Sequence, residues 1–133
     1  MAYINSGTGA WVDVSDSSFK KEVNDLSPIL NKVKKLRPIS FLYKNQGKKA
    51  PKNIGFIAQE VKELFPEVVS TGEDGKLGIA YAHFGPIAIK GIQEQQTLIE
   101  KQAGQIKRMQ GKISSLELKM RNLLAEFAKL KKG

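Results

Sequence analysis

The chain has 133 residues, 41% of them hydrophobic, a formal net charge of +9 and no cysteine. That length leaves room for one small domain beside any extended element, and the absence of cysteine excludes a disulfide framework and a thiolate site. No run approaches the ~20 apolar residues of a membrane-spanning helix, and the opening MAYINSGTG has no signal-peptide core, so a soluble protein without a membrane partner is the expectation.

The positive charge is uneven. Residues 1–83 hold 12 Lys and Arg against 9 Asp and Glu, whereas residues 84–133 hold 10 against 4. Few aromatics are available for base stacking, and no basic arm continues the C-terminal periodicity upstream as a basic zipper requires. A solvated helix face is the first reading of this charge, and nucleic-acid binding by a basic coiled coil stays a minor alternative.

In chain order, residues 2–16 alternate Tyr3, Ile4, Trp11, Val12 and Val14 with small and polar residues and predict strand or extended chain. Residues 17–36 turn helical: Phe19, Val23 and Leu26 share a face. Ser27-Pro28 then reads as N-cap and first helical position, followed by the stripe Ile29, Leu30, Val33 and Leu36, which Arg37-Pro38 stops. Ile39 to Tyr43 predicts a strand. Residues 45–53, NQGKKAPKN, hold no apolar residue larger than Ala50 and predict a protruding loop. Ile57, Val61 and Leu64 mark a short helix ended by Phe65-Pro66. From Val68-Val69 the chain forms a hairpin through Gly72-Glu73-Asp74-Gly75 and back along Leu77, Ile79 and Tyr81.

The last third, from Gly91 to Leu130, is a heptad rod. With Ile92 at position a, Ile99, Ile106, Ile113, Met120 and Phe127 follow at a, and Gln95, Gln102, Met109, Leu116, Leu123 and Leu130 fall at d. A helix of that length spans about 60 Å, more than the rest of the chain can cover, so it must pair with copies of itself. Ile at a with Leu at d favours two strands, while Met and Phe at a and two glutamine layers suit a three-fold axis; the seam alone leaves dimer and trimer open. Gly104 and Gly111, both at f, each lower helix propensity by ~1 kcal/mol, which couples helix formation to assembly. The fold class expected is α+β, a small mixed head followed by a long helix in a parallel homotrimeric coiled coil.

The usual enzyme signatures are missing. His83 is the one histidine, so a multi-histidine metal site is excluded, and no glycine-rich phosphate loop occurs. Glu60, Glu63, Glu67, Glu73 and Asp74 read as solvated surface. No cofactor and no metal are expected. What remains is SDSSFKK, residues 15–21. A serine beside a lysine makes a nucleophilic dyad if burial lowers the lysine pKa, so that the neutral amine takes the hydroxyl proton. On one helix Ser15 and Lys20 stand about 140° apart, and on a strand they lie on opposite faces. A local dyad therefore needs Ser15 outside the helix with the chain bending back, or the two residues must come from different subunits. From spacing alone, a capping serine and a surface lysine is the simpler reading.

The order SDSSFK, LRPISFLYK, IGFIAQEVKELFPEVV and GIAYAHFGPIAIKGIQEQQ, running into a heptad rod, resembles the C-terminal intramolecular chaperone domain of phage tailspikes, tail fibres, neck appendages and endosialidases. The resemblance implies a homotrimer that helps an upstream β-rich fibre of the same polypeptide to fold and then cuts itself off. It maps a Ser-Lys dyad onto Ser15 and Lys20, with Asp16 matching the residue after the serine. It further implies that residues 1–15 end the fibre as a substrate strand, residues 16–86 form the head with its loop at 45–53, and residues 87–133 form the stalk. The parent protein would be made in the bacterial host cytoplasm and reside in the virion tail, with this domain released. Scission is expected at Ser15, at the Ser15-Asp16 bond. A hydroxyl cannot reach its own carbonyl without a four-membered ring, however, so attack on the Val14 carbonyl, cutting on the other side, or on a neighbouring chain remains open. The alternative is a trimerisation and folding module that does not cleave.

Overall fold

The computed structural model describes residues 2–133, and its elements are short until the last. Strand β1 (Ala2–Ile4) pairs antiparallel with β2 (Trp11–Asp13), placing Tyr3 opposite Val12. The connection is closed by Asn5, whose amide donates to Ala10 O at 2.8 Å and whose side chain accepts from the Gly7 amide at 2.9 Å. A single 3₁₀ turn (Ser17–Phe19) follows, and then extended chain to helix α1 (Leu30–Val33).

This corrects the expectation of helix over residues 17–36. Ser27-Pro28 does not begin a helix; Ile29 holds the cap position and Leu30 the first turn. The physical reason is burial. Phe19 and Val23 are each 76% exposed, so their apolar stripe has nothing within the chain to pack against, and a short helix without a packed face is not stable. Glu22, at φ 54°, turns the chain away from a helical path, and Pro28 disfavours helical geometry at Ser27.

Strand β3 (Ile39–Phe41) pairs antiparallel with β4 (Asn53–Gly55), placing Ser40 opposite Ile54. Asn53, expected in the loop, belongs to β4. The intervening segment carries turns rather than a featureless arm: the Gln46 amide donates to Tyr43 O at 2.9 Å, and the Gln46 side chain accepts from the Tyr43 amide at 2.8 Å. Helix α2 (Ala58–Leu64) is stopped by Phe65-Pro66, as its sequence predicts, and a 3₁₀ turn (Pro66–Val68) leads to β5 (Val69–Thr71). β5 pairs antiparallel with β6 (Leu77–Ile79) through the expected turn, in which Gly75 adopts φ 75° and its amide donates to Gly72 O at 2.9 Å. A last 3₁₀ turn (Tyr81–His83) opens into α3 (Phe84–Lys131), 48 residues and about 70 Å long. Among the described residues no helix is long and apolar enough to cross a membrane.

The three hairpins form separate two-stranded sheets. They are tied together by a small core of Ile29, Val61, Phe65, Val68 and Ile87, with Val33, Leu36, Phe56 and Phe84 packed against it. Ile87 and Phe84 belong to α3, so the base of the rod is part of the head. A core this small is marginal alone. The mixed head of helices and small antiparallel sheets, followed by a long C-terminal helix, agrees with that much of the expected fold class.

Candidate catalytic dyad and association surface

Ser15 and Lys20 meet. The Lys20 Nζ donates to Ser15 Oγ at 2.7 Å, although a fully extended chain would carry the two residues about 17 Å apart. The reversal comes from the intervening turn. Asp16 is extended (φ −62°, ψ 140°), and its carboxylate accepts from the Ser18 amide at 2.8 Å and the Ser18 hydroxyl at 2.6 Å. The Phe19 amide then donates to Asp16 O and the Lys20 amide to Ser17 O at 3.0 Å. One 3₁₀ turn, capped by Asp16, thus swings Lys20 back onto the residue before the cap. Ser15 lies outside the turn, which is the arrangement a local dyad requires.

The Ser18 hydroxyl, and after it the Ser18 amide, hold the Asp16 carboxyl below the usual aspartate value, with a smaller contribution from the positive charge of Lys20. The cap is therefore ionised at neutral pH. Ser15 and Lys20 are both exposed in the single chain, and Val14 is half-buried. The Ser18 amide is occupied by Asp16, so it does not supply the oxyanion donor that an N-terminal helical turn would offer.

When the amine is neutral, the same contact runs in the other direction. The hydroxyl then donates to nitrogen, and its oxygen becomes the nucleophile. The sequence points to both residues of the pair and to Asp16 as the residue after the serine at the expected scission bond, but not to Asp16 as the cap of the turn. The available signal was an aspartate two residues before a serine, the pattern of a side chain that folds back on its own backbone.

The other residues singled out in the sequence lie apart from the pair. His83 stands exposed immediately before α3, and its side chain makes no cap hydrogen bond. Glu60 pairs with Arg37 on the surface, its Oε2 accepting from Arg37 Nε at 3.2 Å, and Asp74 pairs with Lys76 at 2.8 Å.

The seam residues lie along one face of α3, and their apolar members are open to solvent in the single chain: Ile92, Ile99, Ile106, Met109, Ile113, Leu116, Met120, Leu123, Phe127 and Leu130 are all at least half exposed. Gln95 and Gln102 are exposed as well. At its base this face runs into an apolar groove lined by Leu36, Phe56, Phe84 and Ala88; continuing the heptad upstream places Ala88 at d. Contiguous exposed apolar surface of this extent is the kind from which interaction sites are built.

The head packs on a neighbouring stripe of the same helix. Ile87 and Gly91 are buried, and Glu94 turns toward α1, where its carboxylate accepts from the amides of Ile29 at 2.9 Å and Leu30 at 3.0 Å. At ~100° per residue this stripe lies roughly 80° around the helix from the seam, so the head flanks the seam without covering it. Glu94 escaped sequence analysis because its partners lie 64 and 65 residues away and leave no local pattern.

No curated protein matches the chain. Residues 15–70, which begin at the serine of the pair and run through both head helices into β5, match the model of the Peptidase_S74 family, the chaperone of endosialidase.

Proposed function

We propose that this chain is a self-releasing intramolecular chaperone, which trimerises through α3, assists the folding of a segment preceding it in the same polypeptide, and then cuts the chain at Ser15. The family match supports the chaperone role. The observation that carries the cleavage reading is the 2.7 Å contact between Lys20 Nζ and Ser15 Oγ.

In the proposed reaction, neutral Lys20 takes the proton from Ser15 Oγ, which attacks a backbone carbonyl. Within one chain the reachable carbonyl is that of Val14. Attack there moves the acyl group from the Ser15 nitrogen to its oxygen, with the proton held by Lys20 passing to the departing amine. Water then hydrolyses the ester, leaving a carboxylate on Val14 and a new N-terminus at Ser15. If the hydroxyl instead comes from a neighbouring chain, the Ser15-Asp16 bond is open to attack and the new N-terminus is Asp16.

Trimerisation enters this chemistry directly. A lysine acts as a base where its charged form is disfavoured, by desolvation or by a nearby positive charge, yet Ser15 and Lys20 are exposed in the single chain. In the trimer a neighbouring head would cover them, making cleavage conditional on assembly. The alternative, a trimerisation and folding module without cleavage, would keep the Asp16 cap and the seam but give the Ser15–Lys20 contact no chemical role.

Denaturing electrophoresis of the purified chain with N-terminal sequencing separates the two. A fragment beginning at Ser15 or Asp16, absent from Ser15→Ala and Lys20→Ala, is the expected result. An intact chain in a proven trimer overturns the cleavage reading.

A further inference from the structure

The seam has polar layers only at Gln95 and Gln102, seven residues apart, so a one-heptad slip still sets Gln102 against Gln95, and the charges beside the seam also bear on register. From Phe84 onward the acidic residues are Glu94, Glu100, Glu117 and Glu126. Glu94 caps α1, and Glu100 accepts from Gln96 at 2.9 Å. Glu117 and Glu126 have no basic partner among the described residues, whose ion pairs are Arg37–Glu60 and Lys76–Asp74. This is notable on a helix so rich in lysine and arginine.

Both glutamates flank the seam, Glu117 at e and Glu126 at g. The basic residues at flanking positions are Lys112 and Lys119 at g and Lys131 at e; Lys101, Lys107, Arg108, Arg121, Lys129 and Lys132 all fall on the outer positions b, c and f. Lys131 leans toward the seam, its amine 5.5 Å from the centroid of the Phe127 ring at a.

In a parallel, unshifted coiled coil each g residue faces the e residue of the following heptad on the next helix. That rule brings Lys112 opposite Glu117 and Glu126 opposite Lys131 of a neighbouring copy. The remaining g-to-e neighbours, Gly91 with Gln96, Leu98 with Ala103, Gln105 with Gln110 and Lys119 with Leu124, set no like charges together.

We propose that inter-chain ion pairs Lys112–Glu117 and Glu126–Lys131, between copies of this same chain, fix α3 as a parallel bundle in register. The proposal rests on the trimer reading and adds what determines its direction and alignment. Sliding one chain by a heptad breaks four such pairs over its two interfaces. It leaves one attraction, Lys119 with Glu117, and creates one repulsion, Lys119 with Lys131. An antiparallel arrangement sets g against g and e against e and loses both designed pairs.

The test uses the full chain in a Ser15→Ala background, so that association is read apart from cleavage. At low salt, Lys112→Glu is expected to lower the association constant at least about tenfold in sedimentation equilibrium, and Lys112→Glu with Glu117→Lys to return it to within about threefold of the parent. Because the chain has no cysteine, a second arm is clean. A Lys112→Cys chain mixed with a size-tagged Glu117→Cys chain, refolded together and treated with a short bis-maleimide, is expected to give a mixed linked product. Failure of the swap to restore association, or self-linking of Lys112→Cys as efficient as mixed linking, overturns the pairing while leaving the trimer standing. A parent chain that sediments as a monomer overturns the trimer reading itself, and the pairing with it.

Discussion

The carboxylate of Glu94 caps the helix that begins at Leu30, 3.0 Å from its amide, although Glu94 belongs to the rod and Leu30 to the head. Helix α1 is too short to be stable alone, and no side chain of its own segment caps it. The rod therefore completes the head, just as Ile87 completes its core.

The Leu30 and Ile29 amides hold the Glu94 carboxyl below the ordinary glutamate value of 4.5. A group with a depressed folded pKa contributes stability that is present above its unfolded value and lost as pH falls through the folded one. Glu94→Gln, which keeps one acceptor and loses the charge, should lower the thermal midpoint at pH 7. The gap to the parent chain should narrow as pH drops below the ordinary glutamate value. Parallel melting curves from pH 7 to pH 3, followed by circular dichroism, check this; a gap that stays constant would show that the charge is not what the cap uses.

Asp16 is a positioning residue: it touches Ser18 and shapes the turn that returns Lys20 to Ser15. Asp16→Ala should slow self-cleavage by about tenfold or more, the scale on which misplaced groups lose rate. Asp16→Asn, whose amide oxygen can still accept from the Ser18 amide, should recover much of it. Cleavage time courses on trimeric protein provide the comparison, and equal rates for Ala and Asn would remove the capping explanation.

Gly55 of β4 is buried beside Tyr81, in the 3₁₀ turn before α3, and Phe41 of β3. A Cβ there would collide with the Tyr81 hydroxyl and lie 3.3 Å from the Phe41 ring. The Tyr81 hydroxyl is not free to withdraw, because it accepts from the Phe56 amide at 3.1 Å. Gly55→Ala should cost about 1–3 kcal/mol, as overpacking does. In a Tyr81→Phe background, which removes the colliding atom, the same change should cost less. Urea titrations of the double-mutant cycle measure the coupling.

Gln95 and Gln102 form the polar start of the seam, nearest the heads. Replacing both with leucine should raise the thermal stability of the assembly and lower its uniqueness, since a buried polar layer fixes register at a cost in stability. Heterogeneous mass in sedimentation and reduced cleavage are the expected outcome. A single trimer that cleaves at the parent rate would mean that the charges flanking the seam hold register without the glutamine layers.

Much of this was legible in the sequence because it rests on local chemistry. The Phe65-Pro66 stop, the Gly72–Gly75 turn and the heptads of α3 each carry their cause within a few residues; the stop and the turn formed where they were expected, while α3 begins at Phe84, before the expected Gly91, and Tyr81 lies in a 3₁₀ turn rather than in β6. Residues 17–36 misled because their apolar periodicity is real while the surface to bury Phe19 and Val23 is absent from the single chain; that pattern is equally what a segment covered by a neighbouring copy would show. The Ser15–Lys20 pair was nameable but not placeable, because its geometry depends on one 3₁₀ turn that neither a helical nor a strand period describes. The Glu94 cap, made across the fold, had no sequence signal.

The most direct test of the account is the mass and N-terminal sequence of the chain after incubation as a trimer, beside Ser15→Ala and Lys20→Ala. The expected result is a fragment beginning at Ser15 or Asp16 that forms only in assembled protein and disappears in both variants. A stable trimer that stays full-length, or a cut that persists without the serine or the lysine, would contradict it.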